Sequence, residues 1–264
     1  MMVHLYLVVK KWLLFLVLML LLFAFSGCAG EQKADAPLKV GMDASYAPFG
    51  FQNIDTKDYE GFDVDVIRAI AAEENFSVQV VNLNFDGLIP ALQTGDLDIV
   101  INDMTITDER KKSVDFSGRY YIAGLGIVTR KDNGEIRGKA DLSGRTIGVS
   151  IASTGEEAAR KIPGAEVKSY NTITDAFLDL KNGGVEAVLN DYPVDLYYVA
   201  KQGPELQVLP HPITTEDLGI AVKKGNAELL AKINKGLSAI KKNGKYSEIY
   251  KKWFGEEPPA EILR

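Results

Sequence analysis

The side chains best suited to recognise a charged small molecule lie close together in one stretch of the chain. Residues 102–112 read NDMTITDERKK, and within them Thr105 and Arg110 can converge on a negatively charged group. Arginine suits a carboxylate because its planar fork donates two parallel hydrogen bonds and stays protonated. A solvated helix start would contain the same two residue types, so the pair alone leaves both interpretations open.

A second candidate for anion binding follows a predicted strand that ends at Val149. Ser153, Thr154 and Glu156 fit a capping box, in which side-chain oxygens accept backbone N–H groups at a helix start. The remaining N–H groups and the helix dipole attract anions. A well-capped helix without a ligand is the alternative interpretation of the same residues.

Acidic and aromatic side chains near strand ends supply complementary chemistry. Asp43 and Asp191 could pair with an ammonium group, although isolated aspartates at such positions are more often turn or cap residues. Tyr46 and Phe85 follow two early strands and could sandwich an aliphatic chain or a guanidinium group. Packing in the core is the more common role for aromatic residues in these places.

The composition excludes most other chemistry. The 264 residues carry a formal net charge of −6, which disfavours a nucleic-acid-binding surface. One cysteine and two histidines cannot form an internal disulfide, a thiolate zinc site or a zinc-binding His-x-x-x-His motif. Gly124 and Gly126 lack the third glycine of the dinucleotide-binding motif and precede a strand. We therefore predict no metal, no cofactor and no nucleic-acid partner.

Strand and helix patterns alternate along the chain from residue 38 onward. Such alternation predicts a largely parallel sheet with helices on both faces, which is an α/β fold. The predicted strands are 38–42, 76–83, 97–101, 145–149 and 218–222. The predicted helices are 61–74, 85–94, one that starts at Thr154, and a Lys-rich helical region in the last forty residues that ends near Phe254.

Two segments of the chain repeat the same pattern. Residues 91–103 read ALQTGDLDIVIND and residues 179–191 read DLKNGGVEAVLND. Each consists of a helix end, a turn with glycine and a buried strand that stops at an Asn-Asp pair. Ligands of open α/β sheets bind outside the carboxyl ends of the strands. Although helix–glycine–strand units can match by chance, the repeat favours two similar lobes that face one cleft.

The first 27 residues have the composition of an export signal. A lysine pair precedes an apolar run at 12–25, and small residues then lead to Cys28. The run is short for a helix that must cross about 30 Å of hydrocarbon. An uncleaved anchor stays open as an alternative, because residues 1–9 are unusually apolar for the start of a signal.

The residues around the lone cysteine resemble the lipobox of lipoproteins. Residues 25–28 read FSGC, with phenylalanine where leucine is more common. The resemblance implies that 1–27 is removed and that Cys28 becomes the acylated first residue. Residues 28–37 are small and polar, as expected of a flexible tether. We therefore predict an extracytoplasmic body attached to the membrane through a lipid anchor.

Six segments together resemble the amino-acid-binding proteins of ABC importers, which include glutamine-, arginine- and lysine/arginine/ornithine-binding proteins. The resemblance covers nearly all of residues 38–257. The segments are GFDVDVIRAIA (61–71), FDGLIPALQTGDLDIV (85–100), TITDERKKSVDFSGRYY (105–121), STGEEAA (153–159), VEAVLNDYP (185–193) and EIYKKWFG (248–255).

The resemblance implies a type II periplasmic-binding-protein fold with two lobes and two crossover segments. Lobe 1 would comprise 38–124 and 218–264, and lobe 2 would comprise 125–217. The crossovers would fall near 123–128 and 215–220.

The resemblance also implies how the ligand backbone would be held. Arg110, Thr105 and the helix start at Ser153 and Thr154 would bind the α-carboxylate. The α-ammonium would meet Asp191 and the main-chain carbonyl near Asp103.

The ligand side chain would lie between Tyr46 and Phe85, and its end would approach Asp43, Asn102 and Ser150. Two positions depart from the family pattern. Asp103 stands where a small residue such as glycine or serine is common, and Ser150 stands where the glutamine-binding type has lysine. Both departures concern the identity of the ligand rather than the fold.

The resulting prediction is a monomeric receptor that delivers a free polar L-amino acid to the membrane subunits of an ABC permease. The predicted ligand-binding residues include no lysine or second arginine that could compensate Asp43 and Asp103, so a cationic side chain is favoured over glutamine. A dehydratase-like enzyme and a ligand sensor on the same fold are the alternatives. Binding is favoured over catalysis because His211, the only histidine after residue 27, lies in a Pro-flanked loop. No signalling domain follows in the sequence, which favours a transport receptor.

Overall fold

The computed structural model describes residues 36–264 together with Trp12. The predicted signal at 1–27, Cys28 and most of the tether therefore lie outside the described residues. Among the helices that the structure describes, none combines the length and the apolar character needed to cross a membrane.

The described chain forms an α/β structure of short strands and eight α-helices. The strands are β1 (Leu38–Met42), β2 (Ser45–Tyr46), β3 (Gly50–Gln52), β4 (Tyr59–Glu60), β5 (Val78–Asn82), β6 (Ile99–Val100), β7 (Val114–Phe116), β8 (Tyr121–Ala123), β9 (Leu125–Arg130), β10 (Thr146–Ser150), β11 (Glu166–Tyr170), β12 (Ala187–Asp191), β13 (Leu206–Val208), β14 (Glu216–Leu218) and β15 (Ala221–Lys223). The helices are α1 (Phe62–Glu73), α2 (Phe85–Thr94), α3 (Arg110–Ser113), α4 (Thr154–Arg160), α5 (Ile173–Lys181), α6 (Tyr192–Gln202), α7 (Ala227–Lys242) and α8 (Lys245–Phe254).

Two five-stranded sheets share one topology. The first has the strand order β5-β1-β6-β15-β7, and the second has the order β11-β10-β12-β9-β13. In each sheet the first three strands run parallel and the fourth is antiparallel to its neighbours. We call the first sheet with its helices lobe 1 and the second lobe 2. The equivalent places of β6 and β12 confirm the repeat that the sequence indicates.

The two lobes are joined by an antiparallel pair of crossover strands. Strand β8 pairs with β14, with Ala123 opposite Glu216 and Tyr121 opposite Leu218. The prediction of one continuous strand at 218–222 is wrong, because β14 ends where the chain turns into the first sheet. Gly219 and Ile220 lie between β14 and β15. The N–H of Gly219 donates to the carbonyl of Met104, and the N–H of Ile220 donates to Oγ of Ser117, so both N–H groups bond outside the β8–β14 ladder and outside the first sheet.

The C-terminal helices return to lobe 1 and complete its core. The ring of Phe62, at the start of α1, makes edge contacts with Tyr250 and Phe254 of α8, with centroid distances of 5.9 and 5.1 Å. Phe49 joins this cluster through Phe62 and Phe254. The cluster fixes the β2–β3 hairpin, which carries one of the candidate ligand-binding residues.

Candidate functional site

The two lobes meet at the strand ends where the sequence places its Asn-Asp pairs. Asn102 and Asp103 follow β6, whereas Asn190 and Asp191 end β12. The hydroxyl of Tyr46 in lobe 1 lies 3.3 Å from Oδ1 of Asn190 in lobe 2, to which it donates. The strand ends therefore face each other across one cleft, as ligand-binding α/β folds require.

Arg110 spans this cleft from the first residue of α3. Its side chain is buried, and the residue is 9% exposed. Nη1 donates to the carbonyl of Thr105 at 2.9 Å, and Nη2 donates to the carbonyl of Ala152 in lobe 2 at 3.1 Å. Burial lowers the pKa of Arg110, and the charge of Asp191 opposes that effect. Since a guanidinium has five N–H donors, three stay available for an anion in the cleft.

The hydroxyls of Thr105 and Thr154 both donate to one residue that the sequence analysis missed. Oε2 of Glu216 accepts from Thr105 at 2.7 Å and from Thr154 at 2.8 Å. Glu216 lies on β14, inside the segment that the sequence analysis assigns to a crossover. Its place in that segment was the one feature of the sequence that could have pointed to Glu216, because Thr105 and Thr154 lie far from it along the chain.

Ser153 acts as the N-cap of α4, as the capping-box pattern predicts. Its Oγ accepts the N–H of Glu156 at 3.0 Å and donates to the carbonyl of Ser150 at 2.7 Å. The Glu156 carboxylate accepts the N–H of Ala152, one residue before the cap. The Ser153 hydroxyl is therefore engaged within its own helix start.

Asp103 and Asp191 are buried carboxylates with unused hydrogen-bonding capacity. Both oxygens of Asp103 and Oδ1 of Asp191 lack a hydrogen-bond partner among the residues that the structure describes. Burial raises the pKa of each carboxyl; the charge of Asp191 adds to the effect on Asp103, and that of Glu216 to the effect on Asp191. The pair would be stabilised by a cationic group, because an unpaired buried charge is costly.

The backbone at Asp103 is left-handed, with a φ of 49°. Glycine tolerates this conformation best, and aspartate tolerates it better than most residues. The N–H of Asp103 donates to Oδ2 of Asp63 at 2.8 Å, which fixes the conformation from the start of α1. A non-glycine residue is thereby held in this conformation.

The carboxylate of Asp43 makes local hydrogen bonds, which fits its interpretation as a turn or cap residue. Its Oδ1 accepts the N–H and the hydroxyl of Ser45, and its Oδ2 accepts the N–H of Phe85 at the start of α2. Burial raises its pKa, and these hydrogen bonds oppose the rise. The N–H of Asp43 donates to Oδ1 of Asn102. Within the described chain, Nδ2 of Asn102 and Oγ of Ser150 have no partner.

Tyr46 and Phe85 face each other across the cleft side of lobe 1. Their rings are inclined by 21°, with centroids 6.1 Å apart, and the guanidinium carbon of Arg110 lies 5.2 Å from the Phe85 centroid. Both rings are buried, so the packing interpretation holds for them as well.

Three further buried polar residues support the site and escaped the sequence analysis. Asp63 accepts the N–H of Asp103, and burial raises the pKa of Asp63 to about 7. Asn190 accepts from Tyr46 and donates to Asp195 at 3.2 Å. Only Asn190 had a signal in the sequence, as the partner of Asp191 in the repeated Asn-Asp pair.

Comparison with known proteins identifies the class. The profile of the bacterial extracellular solute-binding proteins, family 3, matches residues 38–256. The chain is 34% identical over 257 residues to the arginine-binding extracellular protein ArtP of Bacillus subtilis, covering 94% of this chain and 99% of that protein. It is 33% identical over 237 residues to the L-cystine-binding protein TcyJ of Escherichia coli, covering 89% of each.

Solved structures show the same fold. An ancestral arginine-binding protein bound to arginine matches with a TM-score of 0.81 at 45% identity, covering 84% of this chain and 100% of that one. The ancestral amino-acid-binding protein AncCDT-1, a precursor of cyclohexadienyl dehydratase, matches with a TM-score of 0.77 at 40% identity, covering 83% and 95%. The two-lobe, type II periplasmic-binding-protein fold is confirmed.

The chain belongs to family 3 of the bacterial extracellular solute-binding proteins. It is therefore an extracytoplasmic solute-binding protein, and the cleft between its lobes is the candidate solute-binding site.

Proposed function

We propose that this protein binds a polar L-amino acid between its lobes and delivers it to the membrane subunits of an ABC permease, with a cationic side chain preferred over glutamine. The names of the relatives support an amino-acid ligand, since they include arginine- and cystine-binding proteins. In this proposal lobe 1 comprises 38–124 and 218–264, and lobe 2 comprises 125–217. The receptor works as a monomer.

The α-carboxylate of the ligand is assigned to Arg110. Its guanidinium is already held between the two lobes by backbone carbonyls, so it costs little to orient toward an anion. The start of α4 at Ser153 and Thr154 lies next to Ala152, the lobe 2 partner of Arg110. The α-ammonium is assigned to Asp191, whose Oδ1 is buried and unpaired within the described chain.

The observation that carries the preference for a cation is the second unpaired carboxylate, that of Asp103. Arg110 and Asp191 together balance the two charges of an amino-acid backbone. The oxygens of Asp103 then have no partner among the described residues, and burial favours the neutral form of this carboxyl by raising its pKa. Asp43 is a second buried carboxyl, which local hydrogen bonds stabilise. A cationic side chain would pair with the ionised form of Asp103 and favour it, whereas an acidic side chain would place a like charge beside it.

Glutamine is the second choice, because its amide can satisfy polar atoms without neutralising a carboxylate. Nδ2 of Asn102 could donate to the amide oxygen of glutamine. The carboxylate of Asp43 could accept from the amide nitrogen. Tyr46 and Phe85 would accept either an alkyl chain or a guanidinium between their faces.

Competition calorimetry with arginine, lysine, glutamine and glutamate tests the assignment. We expect arginine or lysine to bind most tightly, glutamine more weakly and glutamate most weakly. Tightest binding of glutamate would refute the charge argument. Tightest binding of glutamine would show that Asp103 does not act on the ligand side chain, while the assignment of Arg110 and Asp191 would stand.

The proposal includes membrane attachment through acylated Cys28, with 1–27 removed and 28–37 as the tether. The short apolar run and the lipobox-like residues support it. Once the signal is cleaved, the acyl chains on Cys28 would hold the protein at the membrane.

A dehydratase-like enzyme is the second candidate function, favoured by the 40% identity to AncCDT-1. Asp63 could exchange a proton near neutral pH, since its pKa is raised to about 7. Chromatography of a cyclohexadienyl amino-acid substrate incubated with the protein tests this candidate. Binding without conversion is the result expected of a receptor, and an aromatic product would establish the enzyme.

A further inference from the structure

Glu216 has contacts with both lobes and with both crossovers. Its Oε2 accepts from Thr105 of lobe 1 at 2.7 Å and from Thr154 of lobe 2 at 2.8 Å. Its Oε1 accepts from Thr214 at 2.8 Å, and the hydroxyl of Thr214 accepts the N–H of Leu125 at the start of β9. The residue lies on β14, opposite Ala123 of the other crossover strand.

We propose that Glu216 is a latch residue, which holds the two lobes closed in the absence of ligand by drawing the hydroxyls of Thr105 and Thr154 to one carboxylate oxygen. When the lobes rotate about the crossovers, two hydroxyls from opposite lobes cannot both stay within hydrogen-bond distance of one oxygen. The three-residue contact therefore exists only in the closed arrangement.

The hydroxyl protons show how the latch affects ligand binding. Each threonine hydroxyl has one proton, and both protons point to Glu216 in the closed arrangement. The hydroxyls then present only lone pairs to other groups, so an anion in the cleft is bound by Arg110 and by backbone N–H groups. Glu216 acts through the closure of the lobes and does not touch the ligand.

The latch reduces the part of the ligand's interaction energy that is needed to close the lobes, and so increases the part that appears as affinity. A receptor whose closed state is already populated uses less of the ligand's interaction energy to close, which tightens apparent binding. Hydrogen bonds to a carboxylate are stronger than neutral ones, but Glu216 is half-buried and water competes with it. We therefore expect its removal to weaken arginine binding about tenfold, which corresponds to about 1.4 kcal/mol.

The test measures lobe closure without any ligand. The full chain carries Cys28→Ser, and dyes are attached through Thr56→Cys in lobe 1 and Glu166→Cys in lobe 2, both at exposed positions. In detergent, single-molecule energy transfer should show a closed population in the parent protein, and Glu216→Ala should reduce it. Asp217→Ala is the matched control, since it removes the neighbouring carboxylate on β14, whose ion pair with Arg119 is exposed to solvent.

Two further measurements separate the latch from simple structural damage. Glu216→Gln keeps one accepting oxygen and should restore part of the closed population. Thr154→Val should reduce closure as well, and its effect should be largely absent when Glu216→Ala is already present, because both changes remove the same contact.

The proposal is overturned if the ligand-free parent is fully open or if Glu216→Ala leaves its closed population unchanged. Calorimetry with arginine provides the second arm, in which unchanged or tighter binding by Glu216→Ala also overturns it. Only the calorimetric arm rests on the proposed function. If the parent bound no amino acid, that function would fail, while the energy-transfer result would still decide the latch.

Discussion

Replacing Asp63 by asparagine should change how the stability of this protein depends on pH. The Asp63 carboxyl is 1% exposed, and burial raises its pKa from 3.8 to about 7. Asparagine has nearly the same shape and keeps an oxygen that can accept the N–H of Asp103, so Asp63→Asn removes the ionisation with little change in packing.

The size and sign of the effect follow from proton linkage. Between pH 3.8 and about 7, Asp63 is ionised in the unfolded chain and protonated in the folded protein. The folded protein then binds more protons, so the free energy of unfolding falls as the pH rises through this window. Each pH unit costs about 1.36 kcal/mol, and the interval from pH 5 to pH 7 therefore costs about 2.7 kcal/mol. Above the folded pKa the loss is complete.

Urea unfolding at pH 5 and pH 8 measures this difference. The free energy of unfolding of the parent should fall by about 2.7 kcal/mol more than that of Asp63→Asn between the two pH values. Asp55→Asn, at an exposed position, corrects for the loss of one negative charge from the whole chain. An equal pH dependence in the parent and Asp63→Asn would refute the argument that burial keeps this carboxyl protonated.

Three further changes test the site and the anchor. Arg110→Met should weaken arginine binding by about 3–5 kcal/mol in calorimetry, because the ligand carboxylate loses its charged partner in a buried place; Lys111→Met, at an exposed neighbour, is the control, and unchanged affinity would exclude Arg110 from the site. Asp103→Ser should reduce the preference for arginine over glutamine about tenfold, or about 1.4 kcal/mol, and an unchanged ratio would show that Asp103 does not select the ligand. Cys28→Ala should abolish lipid labelling and leave the protein either released from the membrane fraction or unprocessed; a processed, lipid-labelled, membrane-bound variant would contradict the lipoprotein assignment.

Local patterns predicted several elements closely. Helix α2 occupies residues 85–94 as predicted, since its apolar spacing and the left-handed Gly95 at its C-cap are both features of neighbouring residues. Strand β1 also has its predicted bounds. The repeated Asn-Asp pairs located the cleft, because the strand that precedes each pair stops at the carboxyl edge of its sheet.

Other elements depended on partners that the local pattern does not contain. The apolar run at 218–222 has the pattern of one strand, yet Leu218 bonds in the crossover ladder and Ala221 in the first sheet. The break between them is set by Met104 and Ser117, whose oxygens accept the intervening N–H groups. Periodicity reports which face of a strand is buried and says nothing about which strand it pairs with.

The sequence by itself determined the fold class, the family and the place of the candidate site, because motif spacing and strand ends are properties of short segments. The tertiary structure decided what the polar groups do there. Thr105 donates to Glu216 across 111 positions of sequence, and Asp63 accepts from Asp103 across 40. Whether a carboxylate is satisfied, shared or left unpaired depends on the donors that folding brings within about 3 Å of it, and those donors come from distant segments.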